Sequence, residues 1–146
     1  MLSLTKIFHF EMAHAIHGYP GACKNIHGHS YQLQVTVTAS AEYQHFIPSP
    51  GFILDFRELK QLVTKGIIQT LDHKLVLSGA YITEHPAIAT QENLVSWEAE
   101  PTAENLLIYM KDILSENLPD HVKLVRLKLF ETSDSFAEWT HNTIAV

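Results

Sequence analysis

His27-Gly28-His29-Ser30-Tyr31-Gln32-Leu33-Gln34-Val35-Thr36-Val37-Thr38-Ala39 is the stretch whose alternation decides the fold. Successive side chains of a strand point to opposite faces. His27, His29, Tyr31, Leu33, Val35 and Val37 therefore take one side, and Gly28, Ser30, Gln32, Gln34, Thr36 and Thr38 the other. The first side reads as core-facing, so two imidazoles lie two residues apart on the apolar side of one strand. Four residues upstream of His27 stands Cys23, the one cysteine of the chain.

Working outward, residues 3–12 alternate weakly, with Leu4, Phe8, Phe10 and Met12 set against Thr5, His9 and Glu11. They read as a first strand, and His14 continues the parity of Phe10 and Met12. Gly18, Pro20 and Gly21 mark a loop over 17–25. A hairpin of these two strands brings His14 close to His27 and His29. Neutral imidazole is the commonest metal ligand, and three of them leave an open position on zinc. A closed site with Cys23 as fourth ligand is the competing metal reading, and spacing alone does not separate the two. Cys23 sits in a Gly/Pro-bearing loop, is followed by Lys24 and lies beside the expected metal. Those neighbours lower a thiol pKa, which suits a proton-transfer thiol better than a core cysteine.

Beyond the second strand, Pro48, Pro50 and Gly51 mark a loop over 40–52. A helix is expected from Asp55, with Glu58 three residues on as in a capping box. Its stripe is Phe56, Leu59, Leu62, Val63, Ile67 and Leu71. Gly66 within it costs ~1 kcal/mol relative to alanine, and the helix ends near Asp72-His73. Residues 74–101 mix apolar residues with Gly79, Pro86 and Pro101 and give no regular element. Thr102 caps a second helix with the stripe Leu106, Leu107, Met110, Ile113 and Leu114. Residues 121–131 read as a third strand, with Val125, Leu127, Leu129 and Glu131 on one side, and residues 136–145 as a fourth. The order β-β-α-α-β-β over 1–146 predicts a single α+β domain, an antiparallel four-stranded sheet with two helices on one face.

The chain has 146 residues, 46% of them hydrophobic, and a formal net charge of −6 without a Lys/Arg cluster. Nucleic acid and anionic membrane are therefore not expected as partners. One cysteine excludes an intrachain disulfide and suits a reducing compartment. No apolar run reaches ~18 residues and the N-terminus lacks a signal-peptide pattern, so the expected location is cytoplasmic.

Two further features carry chemistry. Asp72-His73 is either a polar helix end, where the dipole favours an imidazole, or an acid/base pair in which the carboxylate orients the ring. Glu131 is a carboxylate on an apolar strand face and needs a partner. That partner is either an internal Lys or Arg, or a ligand presenting two N–H groups, as pterins and guanines do.

Taken together, Phe10-Glu11-Met12-Ala13-His14, Cys23-x-x-x-His27-Gly28-His29-Ser30-Tyr31, Ile53-Leu54-Asp55-Phe56, Leu71-Asp72-His73, Pro101-Thr102-Ala103-Glu104-Asn105-Leu106 and Glu131-Thr132 resemble, in order, the 6-pyruvoyltetrahydropterin synthase family. The three-residue gap between Cys23 and His27 resembles the branch that forms 6-carboxy-5,6,7,8-tetrahydropterin in queuosine biosynthesis. The resemblance implies the tunnelling fold, with subunits assembled as trimers and then hexamers. It implies His14, His27 and His29 as zinc ligands, Cys23, Asp72 and His73 as catalytic residues, and Glu131 with Thr132 at the substrate. The implied substrate is dihydroneopterin triphosphate, a small molecule, with the Asp-His pair reaching the cysteine of a neighbouring subunit. The implied reaction is a zinc-dependent lyase step releasing acetaldehyde and triphosphate. Triphosphate elimination without carbon–carbon cleavage is the alternative, and a non-catalytic pterin- or metal-binding protein a third. The sequence departs from the family in the length of 74–101 and in Ser133-Asp134-Ser135-Phe136-Ala137-Glu138-Trp139, which lacks the extra cysteines some carboxy-forming members carry.

Overall fold

A computed structural model describes residues 1–142. The alternating stretch is strand β2 (His27–Ala39), and it pairs antiparallel with β1 (Ser3–His14) in the register that sets His14 opposite His27 and Phe10 opposite Tyr31. Tyr31, Leu33, Val35 and Val37 are fully buried. Burying such side chains stabilises by about 1.5–3 kcal/mol each, and a one-residue slip would turn all of them to the other face. The two histidines at the start of β2 are held on the core side by that register.

Helix α1 (Phe56–Val63) starts where Asp55 accepts the backbone N–H of Arg57. It runs through a π-helical turn (Thr64–Ile68) into a last α-turn, α2 (Gln69–Leu71). Gly66 lies in the π turn, where an added Cβ would stand 2.9 Å from Ile113 Cγ2. The glycine that weakens the helix in sequence thus permits close approach of the second long helix, α4 (Ala103–Asn117), which Thr102 caps through the N–H of Asn105. Leu59, Val63, Ile67 and Leu71 meet Leu106, Leu107, Met110 and Leu114 over the apolar face of the sheet.

The sheet has six strands in the order β4-β3-β1-β2-β5-β6, not the four antiparallel strands expected. The additional two come from 74–101. β3 (Lys74–Ser78) and β4 (Leu94–Trp97) are joined by the short helix α3 (Gly79–Glu84) and a 3₁₀ turn (Pro86–Thr90), and β3 runs parallel to both β1 and β4. Leu75, Val76 and Leu77 are consecutive and all buried. Val76 joins the main core, while Leu75 and Leu77 pack with Ala15 and Tyr81 on the opposite face. A strand covered on both faces reads as an unbroken apolar run rather than an alternation, which is why a period of two does not reveal it.

β5 (Val122–Thr132) pairs with β2, and β6 (Ser135–Thr140) with β5. A bulge shifts the β2–β5 register between Thr36 and Val37. The core face of β5 is consequently Val122, Leu124, Leu127 and Leu129, and Val125 drops out of the parity expected for it. The extra residue of a bulge reverses which side faces the core. The fourth strand expected over 136–145 is found as β6 as far as Thr140; 143–145 lie outside the described residues. No helix among the described residues is long and apolar enough to cross a membrane.

Candidate metal centre and active site

His14, His27 and His29 present ring nitrogens that all lie within 4.8 Å of one another. Cross-strand register supplies the pair His14 and His27, and strand parity adds His29. His14 is buried at 3% exposure. Burial pushes its imidazole below the ordinary pKa, against the pull of its bond to Pro101; the nearby His27 adds to the lowering. The lowering favours the neutral ring, the form that a metal ligand needs.

Two backbone carbonyls orient the rings. His14 Nδ1 lies 2.7 Å from the Pro101 carbonyl and His27 Nδ1 lies 2.7 Å from that of Asn25. A carbonyl only accepts, so each Nδ1 carries a proton, and in a neutral ring the Nε2 is then a bare lone pair. Those two Nε2 atoms stand 3.1 Å apart. Two lone pairs so close repel one another, and a shared cation removes the repulsion. A second ring nitrogen held by a carbonyl is also the usual support of a metal-bound histidine. The donor set therefore fits a metal, and three neutral nitrogens suit zinc with an open position.

The trio opens onto a cavity of about 420 Å³ whose lining also includes Cys23, Glu131, Tyr19 and Glu104. Cys23 is exposed, in a 3₁₀ turn (Ala22–Lys24), and its thiol lies outside the group of mutually close histidine nitrogens. That arrangement disfavours the closed four-ligand site. Glu131 reaches the same cavity from β5, and its charge acts on buried groups there. Burial, followed by the Glu131 carboxylate, drives the Tyr31 phenol far above its ordinary pKa. Among the described residues no arginine or lysine lines this cavity, so none of them partners Glu131 there.

Other expected residues lie apart. Thr132 turns its hydroxyl to Asp134 Oδ1, 2.8 Å away in the β5–β6 turn, and does not line the cavity. Asp72 and His73 stand beside β1, where Asp72 Oδ1 accepts the Glu11 N–H at 2.9 Å and the His73 N–H donates to the Glu11 carbonyl at 2.6 Å. Their side chains face each other, His73 Nδ1 lying 3.0 Å from Asp72 Oδ1. His73 adopts φ 61°, a left-handed conformation uncommon for a residue other than glycine, and its side chain is 79% exposed. Within one chain the pair does not reach the cavity. Sequence reasoning passes over Pro101 and Asn25, which act through backbone carbonyls and so leave no side-chain signal, and over Tyr19, a cavity wall in a loop without period.

Residues 3–142 match the family described as 6-pyruvoyl tetrahydropterin synthase, and the chain belongs to that family. It is accordingly an enzyme of the pterin-synthase class, a lyase. It is 29% identical over 143 residues to a 6-carboxy-5,6,7,8-tetrahydropterin synthase from Haemophilus influenzae, across 95% of this chain and 99% of the relative. Identity to the enzyme of that name from Rickettsia typhi is 30% over 142 residues, across 94% and 99%. A dihydroneopterin monophosphate aldolase from Pyrococcus furiosus is 29% identical over 125 residues, across 86% and 85%. Among solved structures, an uncharacterised protein from Wolinella succinogenes superposes with a TM-score of 0.77 at 18% identity, covering 97% of this chain and 98% of the other. The 6-pyruvoyl tetrahydropterin synthase of Caenorhabditis elegans gives 0.66 at 21%, covering 97% and 96%. These likenesses show a shared fold.

Proposed function

We propose that this protein converts 7,8-dihydroneopterin triphosphate and water to 6-carboxy-5,6,7,8-tetrahydropterin, acetaldehyde and triphosphate. The observation that carries the reading is the single cavity lined by Cys23, His14, His27, His29 and Glu131. The names of the relatives from Haemophilus and Rickettsia support it.

His14, His27 and His29 would hold zinc, which supplies Lewis-acid chemistry, lowering the pKa of an oxygen ligand and stabilising developing negative charge. Glu131, with no cation beside it among the described residues of the cavity, accepts the paired N–H groups of the pterin edge and so orients the ring. Cys23 takes a proton at a side-chain carbon of the substrate onto Sγ. His73 returns a proton from Nε2, its Nδ1 being committed to Asp72, which fixes the ring and stabilises its charged form. Because Asp72 and His73 do not reach the cavity of their own chain, they serve the Cys23 of a neighbouring copy, and the working unit is a homo-oligomer. The enzyme works in the cytoplasm, in keeping with a free thiol at its centre.

Product analysis tests the reading. The zinc-loaded protein, given dihydroneopterin triphosphate, is expected to yield 6-carboxytetrahydropterin by mass and one acetaldehyde per substrate consumed. Consumption without acetaldehyde would overturn it in favour of triphosphate elimination alone. Binding without turnover would leave a pterin-binding protein.

A further inference from the structure

Among the described residues, the loop that carries Cys23 makes its long-range polar contacts through one residue. Within it, the Ile16 N–H donates to the Cys23 carbonyl at 2.8 Å, and the N–H groups of Lys24 and Asn25 donate locally to Gly21 and Ala22. Among the described residues, the polar contacts from 15–26 to distant parts of the chain both fall on His17. Its N–H donates to Glu100 Oε1 at 2.6 Å, and its Nδ1 lies 3.5 Å from Glu84 Oε2. Glu84 is 64% exposed, so that ion pair contributes little. Glu100 is half-buried. Its carbonyl accepts the Thr102 N–H and the Asn105 Nδ2–H, each at 2.9 Å, in the turn that caps α4.

We propose that Glu100 is a positioning residue for Cys23. The inference rests on the reading of Cys23 as the proton-transfer thiol. The Glu100 carboxylate grips the backbone of His17, next to the residue that holds the Cys23 carbonyl. The following residue, Pro101, holds the Nδ1–H of His14. One capping turn thus sets both the metal cluster and the thiol loop, and fixes the distance between them. A charged acceptor makes the bond shorter and stronger than a neutral one, which suits the one short hydrogen bond that this loop makes to a distant part of the chain.

The test uses the full-length zinc-loaded protein and the variants Glu100→Ala, Glu100→Asp and Glu100→Gln. Zinc content, kcat and KM are measured, together with the pH profile of Cys23 alkylation by iodoacetamide, which needs no substrate. Misplacement of a reacting group by about 1 Å costs up to about 100-fold. Glu100→Ala is expected to lower kcat by about 10- to 100-fold, with KM within about threefold, zinc retained and the alkylation profile displaced. Glu100→Gln keeps an acceptor oxygen and is expected to restore most of the rate. Glu100→Asp keeps the charge but withdraws the oxygen and is expected to fall between, a result that stands if the alanine variant does not fold. A wild-type kcat and alkylation profile in Glu100→Ala, or in Glu100→Asp where the alanine variant is unfolded, overturns the proposal. Loss of zinc in parallel with rate also overturns it, since Glu100 would then act through His14. Failure of the wild-type protein to turn over the substrate would sink the proposed reaction, yet the alkylation profiles would still report whether Glu100 sets the thiol.

Discussion

Two clusters of titratable side chains flank the end of β1, and the chain holds them in opposite ways. His14, His27 and His29 are set by strand register, turned to the core side and gathered around one point in a cavity. Asp72 and His73 sit just across the strand on a tight turn, bonded to both backbone groups of Glu11, with the imidazole in solvent. In the sequence the first reads as a metal set, while the second reads either as a polar helix end or as an acid/base pair. The first has its partners within one chain. The second is built as closely at its backbone and presents its imidazole outward, as expected of a contribution to another copy's site.

The largest expected effect separates the clusters by metal. His27→Ala leaves two of three ligands and should lose the ion, with activity falling about 10³-fold or more, since a metal supplies several kcal/mol of charge stabilisation. Metal analysis of the purified variant checks this, and a variant retaining one zinc per chain would break the contrast. Next in size, Asp72→Asn or His73→Ala should cost about 100-fold, within the range for a general acid/base, with zinc content unchanged. Mixing His73→Ala subunits with Cys23→Ala subunits should recover activity that neither has alone. If no recovery follows subunit exchange, the pair serves its own chain.

The smallest effect concerns acid. Burial holds the folded His14 pKa below its ordinary 6.5. Below pH 6.5 the unfolded chain therefore binds a proton there that the folded chain does not. In the metal-free protein this stability contribution is intact above pH 6.5 and lost as pH falls toward the folded pKa, with a slope of at most about 1.4 kcal/mol per pH unit. Denaturant titrations at several pH values should show His14→Gln with a shallower acid decline than the metal-free parent. Equal slopes would mean that His14 is not the buried neutral group described.

Much of the site is legible in the sequence because β2 alternates without interruption. A strict period of two has one solution when one face is buried, so the alternation alone assigns His27 and His29 a side. His14 follows by the same parity. The pattern fails where its premise fails. Val125 lies at a bulge, where one extra residue reverses the faces, and no side chain announces it. Leu75, Val76 and Leu77 are covered from both sides, so they do not alternate, and the strand they form escapes a search for that period. Gly66 reads as a helix defect because the Ile113 side chain it accommodates is distant in sequence.

By itself the sequence determined the hairpin, both long helices, the histidine trio and the family motifs in order, because local periodicity and register govern these. Only the tertiary structure decided that Glu131 shares a cavity with Cys23, that Asp72 and His73 do not, and that Glu100 and Pro101 brace the two halves of the site. Those relations depend on contacts between residues tens of positions apart, many through backbone atoms that every residue type possesses. Cys23 could be singled out from the sequence, but what holds its loop in place depended on a carboxylate far from it along the chain.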